Sequence, residues 1–564
     1  MELRSFAQIL FCAILVLLGV SGDDSPVVET SLGKIKGSFM TSRLGKQIYS
    51  FRGIRYGKPP IGERRFKVPE PIDAWTGAFD ASEEGPSCIR PAGRNLSEDC
   101  LALNIYTTKL PSKSNAVKRP VIVFFPPGGF TGYSAQSYLW GPQYYLDQDI
   151  VLVTVNYRLS ALGFISTGDE HAPGNLGLKD QVVALRFVRD HIARFSGDPN
   201  SVTISGCSAG SWSVILHMLS PMSRGLFHKA IAMSGSPLKP KLLPSDMSDV
   251  AKKQASFVDC PVDDLDKMFE CLKKVPAQQF GATLSRFNEF YGDPILIFSP
   301  VVEPKIEGVE RFLRAQPVDI IRSGDFNHVP LITGVTKDEI VGTALRAAEA
   351  AQKGNTSYFD DLNAEWERVA PISFQYDRTG EQSVQASRAL KKFYFNDEPV
   401  SFKNVDKLAQ AYGDAIVGFP VHRSATLMAK YNTKPVHYYK FVYQGRYSYQ
   451  TWSETKKPYG VVHHDDLIYV FYISYAFPFF DKDAPETPMV EKMTSIWANF
   501  AKTGEPIPKN NDLFKKVKWN VLTPENHKYL EINDTFAMKA NLFADRYELW
   551  GRLFPLPTYQ KPEC

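Results

Sequence analysis

Gly206-Cys207-Ser208-Ala209-Gly210 is the stretch on which the fold reading turns. It follows the β-branched run Val202-Thr203-Ile204 and leads into Trp212-Ser213-Val214-Ile215-Leu216, which reads as a helix. A G-x-S-x-G pentapeptide between a strand and a helix marks a sharp turn that lifts a serine hydroxyl off the end of a sheet. The flanking residues must be small, because a side chain there would meet the neighbouring strand or helix. An ordinary strand-to-helix turn could also contain these residues, so the remainder of the chain has to supply the partners.

Working outward, continuous apolar runs at Pro120–Phe125 and Ile150–Val155 read as strands buried on both faces. Leu178 to Arg194 has helical spacing and stops before Gly197-Asp198-Pro199. Leu331–Gly334 and Tyr438–Tyr443 read as later strands. Alternating strand and helix predicts a large, mostly parallel α/β sheet with helices on both faces. The polar, mixed segment from Ala347 to Gln385 reads as helical insertions over the active site, within a single domain spanning residues 23–564.

Composition limits the partners. The net charge is +4 over 564 residues, and no basic run interleaves with aromatics, so nothing supports nucleic-acid binding. Arg4 precedes an apolar run from Ile9 to Val20 that ends in Ser21-Gly22, the pattern of a cleaved secretory signal over residues 1–22. Asp23 is the expected first mature residue, and no later segment reaches transmembrane length. The expectation is a secreted protein. Secretion makes the close pairs Cys88/Cys100 and Cys260/Cys271 candidates for short disulfide loops. Cys12 leaves with the signal, Cys207 is expected to be buried and free, and Cys564 is a candidate link in a homodimer. Sequons at Asn95, Asn355 and Asn533 are candidate glycosylation sites.

A serine alcohol needs a base, a group to orient that base, and donors for the developing oxyanion. Among the histidines after Ser208, His463 and His464 stand out, since Tyr459–Val462 leads into them and Asp465-Asp466 follows. The four adjacent residues could suggest a metal site. Neighbours in sequence rarely converge on one centre, however, and no C-x-x-C or second pair accompanies them, so no metal is expected. For the acid, both Asp338 and Glu339 follow the strand at Leu331. Upstream, Gly128-Gly129 after Phe125 can offer backbone N–H groups together with Ala209.

The chain resembles the type-B carboxylesterases, the carboxylesterase/cholinesterase family of the α/β-hydrolase fold, in its secreted insect form. Phe51-Arg52-Gly53-Ile54-Arg55-Tyr56-Gly57, Ser97-Glu98-Asp99-Cys100-Leu101, Asn156-Tyr157-Arg158, Gly174-Asn175-Leu176-Gly177-Leu178 and Trp497-Ala498-Asn499-Phe500-Ala501 follow the family's motifs in order. The resemblance implies Ser208 as nucleophile, Glu339 as acid and His463 as base. It implies an oxyanion hole at Gly128, Gly129 and Ala209, with Ser234 and Asp466 in support. It also implies disulfides Cys88–Cys100 and Cys260–Cys271, ion pairs Arg65–Glu98 and Arg158–Asp198, and catalysis without a cofactor.

Two departures shape the expected substrate. Pro126-Pro127 stand where the family usually has His-Gly, and proline has no N–H to donate. Cys207 and, by ungapped count, Arg90 replace the glutamate and tryptophan with which cholinesterases hold a cation. Small to medium uncharged esters are therefore expected, with a small-molecule ester as the partner. Juvenile hormone esterases also resemble the chain but usually carry glutamine before the serine. Trp212 is read as packing. The rival readings are an esterase specialised for a hormone, pheromone or lipid ester, and an inactive adhesion or recognition protein on the same fold.

Overall fold

The computed structural model describes residues 25–112, 118–509 and 511–562. The signal segment 1–22 and Cys564 lie outside the described residues. A three-stranded sheet joins β1 (Val27–Thr30), β2 (Gly33–Lys36) and β5 (Ala78–Asp80). The central sheet has 11 strands. In chain order they are β3 (Ser38–Thr41), β4 (Gln47–Arg55), β6 (Ala102–Thr107), β7 (Arg119–Phe125), β8 (Val151–Val155), β9 (Gly197–Cys207), β10 (Lys229–Met233), β11 (Leu331–Thr336), β12 (Val436–Phe441), β13 (Lys528–Ile532) and β14 (Ala537–Ala540). Their spatial order is β14-β13-β12-β11-β10-β9-β7-β8-β6-β4-β3. Pairing is parallel from β8 through β13 and antiparallel at both edges.

The apolar runs become two-faced strands because the side chains alternate. In β7, Val121, Val123 and Phe125 face one core with Leu178, Val182 and Leu185 of the helix Leu176–His191. Ile122 and Phe124 face the other, with Ile496, Trp497 and Phe500 of the helix Thr487–Thr503. This is the doubly covered α/β-hydrolase sheet expected from the sequence. Between β11 and β12 the chain makes the helices Gly342–Gln352, Ser357–Ala364, Trp366–Phe374 and Glu381–Phe395. Their apolar faces, including Leu362, Val369 and Leu390, join the same cluster as the sheet. Among the described residues no helix is long and apolar enough to cross a membrane.

Cys88–Cys100 and Cys260–Cys271 are disulfides, and Cys207 is buried and free. Arg65 meets Glu98, with Nε–Oε1 at 2.6 Å, and also donates to the carbonyls of Leu272 and Val275. Arg158 does not pair with Asp198. Its Nη2 donates to Asp180 Oδ1 at 2.7 Å, and its Nε and backbone N–H donate to Asp180 Oδ2, both at 2.9 Å. Asp180 sits in the buried first half of the helix Leu176–His191, beneath the chain leaving β8. Asp198 opens β9, partly exposed, and accepts the N–H of Asn200. Helix placement, not sequence distance, selects the partner.

Candidate active site

The parallel strands β7, β9, β10 and β11 end at one edge of the sheet, and the candidate residues leave from these ends. Ser208 follows β9 directly, with φ 56° and ψ −119°. Such a backbone is costly for a non-glycine residue and persists only where its surroundings over-determine it. Here they do. The Ser208 N–H donates to Met233 O at the end of β10 at 2.9 Å. A Cβ on Gly206 would lie 2.4 Å from the backbone of Gly210, and one on Gly235 would lie 2.3 Å from Ser208 O. A Cβ on Gly210 would lie 2.0 Å from Phe125 O. The pentapeptide's glycines are thus required by close backbone approach, and Gly210 brings the helix Ala209–Leu219 against the end of β7.

Beyond β7, Pro126 and Pro127 are buried, and Tyr157 Oη donates to Pro126 O at 3.0 Å. Gly128 has φ 114° and Gly129 φ 59°. The Gly128 carbonyl is tied within the turn by the N–H groups of Thr131 and Gly132, both at 2.9 Å. The N–H groups of Gly128, Gly129 and Ala209 find no acceptor among the described residues. Backbone N–H groups left free in this way can together favour an anion.

Glu339 is buried beyond the end of β11 and accepts the Thr336 N–H through Oε1 at 2.8 Å. Its Oε2 meets His463 Nδ1 at 2.5 Å. The turn carrying His463 is stitched to the acidic loop, because Val462 bridges Asp338 and the Asp338 N–H donates to Val461 O at 2.8 Å. Asp338 itself accepts the Val461 N–H at 3.0 Å and does not reach the histidine.

His464, with φ 78°, packs edge-on against Tyr449 with ring centres 5.5 Å apart and lies against the His463 ring, centres 4.1 Å apart. Burial holds its imidazole well below the usual histidine range. Asp465 shapes this turn, accepting from Ser448 Oγ at 2.7 Å and from the N–H groups of Tyr449 and Val462 at 2.9 Å. In the sequence Asp465 is marked only by its place beside the histidines, in a run that could suggest a metal site. Asp466 is fully buried and accepts from Tyr439 Oη at 2.8 Å. Burial pushes its carboxyl up to about 6, the Tyr439 hydroxyl pulls it back, and the neighbouring Glu339 pushes it further up.

Ser234 follows β10 as Ser208 follows β9, with φ 51°, and its N–H donates to Gly334 O at 2.9 Å. Its buried hydroxyl has no partner among the described residues. Trp212 packs as expected, 3% exposed and edge-on to Phe130 with ring centres 6.0 Å apart. Burial raises the Cys207 thiol well above its ordinary range, so it stays protonated beside Ser208. Arg90 donates to Tyr138 Oη at 3.4 Å. Asn95 and Asn355 are exposed and Asn533 partly so.

A serine on a strained strand-to-helix turn, with a carboxylate-bound histidine at the same sheet edge, is the layout of an α/β-hydrolase. The carboxylesterase family model matches residues 24–550, and the chain belongs to that family of carboxylic ester hydrolases. Esterase FE4 of Myzus persicae is 35% identical over 526 residues, covering 91% of this chain and 90% of its own. Juvenile hormone esterase of Tribolium castaneum is 35% identical over 566 residues, 93% of each chain. The crystal structure of juvenile hormone esterase from Manduca sexta, with OTFP covalently attached, superposes with a TM-score of 0.83 at 28% identity, covering 94% of this chain and all of that one.

Proposed function

We propose that this carboxylesterase works by acyl transfer through Ser208. His463 takes the hydroxyl proton as the oxygen attacks an ester carbonyl. Glu339 holds the imidazole in the productive tautomer and stabilises its charge. The N–H groups of Gly128, Gly129 and Ala209 receive the oxyanion. His463 then protonates the departing alcohol and activates the water that releases the acid. Ser234 and Asp466 support the triad from behind. The observation carrying this reading is the 2.5 Å contact between His463 Nδ1 and Glu339 Oε2 at the sheet edge where Ser208 emerges.

The substrates are small to medium uncharged esters, since Cys207 and Arg90 give a choline-type cation neither an acid nor an aromatic face. The protein acts after secretion, with residues 1–22 removed and sugars on Asn95, Asn355 and Asn533. The two juvenile hormone esterases among its relatives favour a second reading, an esterase for a hormone ester. The test is hydrolysis of a short chromogenic ester beside Ser208→Ala, with a fluorophosphonate probe to identify the labelled residue. Loss of turnover and of labelling in the variant supports the mechanism, and turnover that survives in it defeats the mechanism. A terpenoid methyl ester preferred over short esters would select the hormone reading.

A further inference from the structure

One cavity of about 480 Å³ opens beside the oxyanion turn, between the chain after β10, the segment around Leu296 and the helix Trp366–Phe374. Its wall is one residue from the candidate donors, because a Cβ on Gly129 would lie 3.3 Å from Leu296 Cδ2. Lys239 lines it and is tied to the same corner, with Nζ 5.7 Å from the ring centre of Trp212, four residues past Ser208.

Lys239 has no carboxylate partner among the described residues. Among the described residues its ammonium donates one hydrogen bond, to Gln375 Oε1, long at 3.4 Å. A lysine only donates, so Gln375 must turn its oxygen toward it. That leaves Gln375 Nε2 buried with no acceptor. Gln375 is 8% exposed and is fixed just past the helix end by a left-handed backbone, φ 57°. Leaving an ammonium and an amide under-used in a partly buried wall is unfavourable for folding alone.

The carboxylates along the same wall are engaged elsewhere. Glu289 holds Arg378 at 2.9 Å, and Asp246 accepts the Ser248 N–H at 3.0 Å. Asp249 lies in the first turn of the helix Ser248–Phe257, where the helix end favours it. Burial brings the Lys239 ammonium down to about 8, so it is still mostly charged at neutral pH.

The proposed mechanism also fixes which half of an ester reaches this cavity. His463 protonates the leaving oxygen, so the alcohol lies toward the imidazole and the acyl chain away from it. Neither the turn that carries His463 nor Ser208 and the candidate donors line the cavity themselves; Leu296, packed on Gly129, is the side chain between the cavity and the donors, on the side the acyl chain takes.

We infer that the cavity is the acyl subsite, and that Lys239 with Gln375 makes it selective for esters whose acyl chain ends in a carboxylate, such as half-esters of dicarboxylic acids. This rests on the proposed mechanism and goes beyond its uncharged esters. Leu296 and Ile297 would cover the methylenes while Lys239 takes the distal carboxylate.

The test compares 4-nitrophenyl esters in matched pairs, each acyl length given as a neutral alkanoate and as an ω-carboxylate half-ester. A charge-assisted hydrogen bond is worth about 1.5–3 kcal/mol, so at the fitting length kcat/KM should favour the half-ester by roughly ten- to a hundredfold. Lys239→Met should bring that ratio to one or below, and Lys239→Arg should keep most of it. A wild-type ratio below one at every length, or a ratio that Lys239→Met leaves unmoved, overturns the inference. Ser208→Ala runs in parallel. If it still hydrolyses both esters, the nucleophile assignment falls while the ratio still judges Lys239. If the wild type hydrolyses neither ester, calorimetric binding of adipic acid monoamide decides. Binding that Lys239→Met abolishes sustains the subsite, and binding that is absent or indifferent to Lys239 rejects it.

Discussion

Glu339 holds two groups at once, accepting the Thr336 N–H on one oxygen at 2.8 Å and meeting His463 Nδ1 with the other at 2.5 Å. The backbone bond fixes the carboxylate's rotation, so the histidine has one orientation available. Replacing the charge while keeping the shape should therefore expose its role. Glu339→Gln presents an NH2 group or a neutral oxygen to Nδ1 and loses control of the tautomer. A fall of about 10⁴ in kcat is expected, with the melting temperature little changed. Stopped-flow and steady-state ester hydrolysis would measure it, and a fall of less than tenfold would remove Glu339 from the mechanism.

The proposed oxyanion turn makes a sharper demand at one glycine than at the other. A Cβ on Gly128 would lie 2.5 Å from Gly132 O at φ 114°, whereas one on Gly129, at φ 59°, would be tight only against the flexible end of Leu296 at 3.3 Å, with Thr131 Oγ1 and Ile295 O at ordinary contact distance. Gly128→Ala should cost about two to three decades in kcat through a displaced donor. Gly129→Ala should cost less, and KM should move little in either. Equal effects in the two variants would contradict this account.

The buried pair Arg158–Asp180 predicts a stability effect confined to one acid. Removing one partner strands the other charge, so Arg158→Met should lose about 3–5 kcal/mol in urea unfolding. Asp198→Asn, at the partly exposed start of β9, should stay within about 0.5 kcal/mol. Should the two exchange ranks, the observed pairing would be wrong.

Asp466 should make stability depend on pH. Its carboxyl titrates at about 6 in the folded chain against the ordinary 3.8, so the fold favours the protonated form. The associated stability is fully present below pH about 4 and is lost as pH rises through about 6. Its upper size is on the order of 3 kcal/mol, from roughly two pKa units. Asp466→Asn should flatten the change in melting temperature between pH 4 and 8. An unaltered slope would show that Asp465 or Asp293, also raised by burial, to about 7 and about 6, carries the effect.

The legibility of this molecule follows how local each decision is. The turn at Ser208 is written in five consecutive residues because its steric demands come from backbone next to it and from a strand that any such fold supplies. The alternation in β7 is equally local. His463 and His464 are indistinguishable by composition; only the fold shows His463 meeting Glu339 while His464, with a left-handed backbone, packs against Tyr449 and the His463 ring. The partner of Arg158 is chosen by where a helix lies. The wall at Lys239 is built from three segments distant in sequence, so nothing in any one of them announces a cavity.

The backbone bonds Ser208 N–H to Met233 O and Ser234 N–H to Gly334 O form a staircase across three strand ends. Each turn takes its position from the next strand, and the last strand carries the loop of Glu339. The spacing of serine and acid is thus a property of the sheet, ruled off in strand widths, with no side chain as a spacer. The walls of the substrate cavity contribute nothing to that ruler. A lineage could therefore rebuild the segments around Lys239 and Leu296 for a new acyl group while the machinery at the sheet edge keeps its dimensions. Directed evolution for new esters should accordingly begin in those walls and leave the three strand ends untouched.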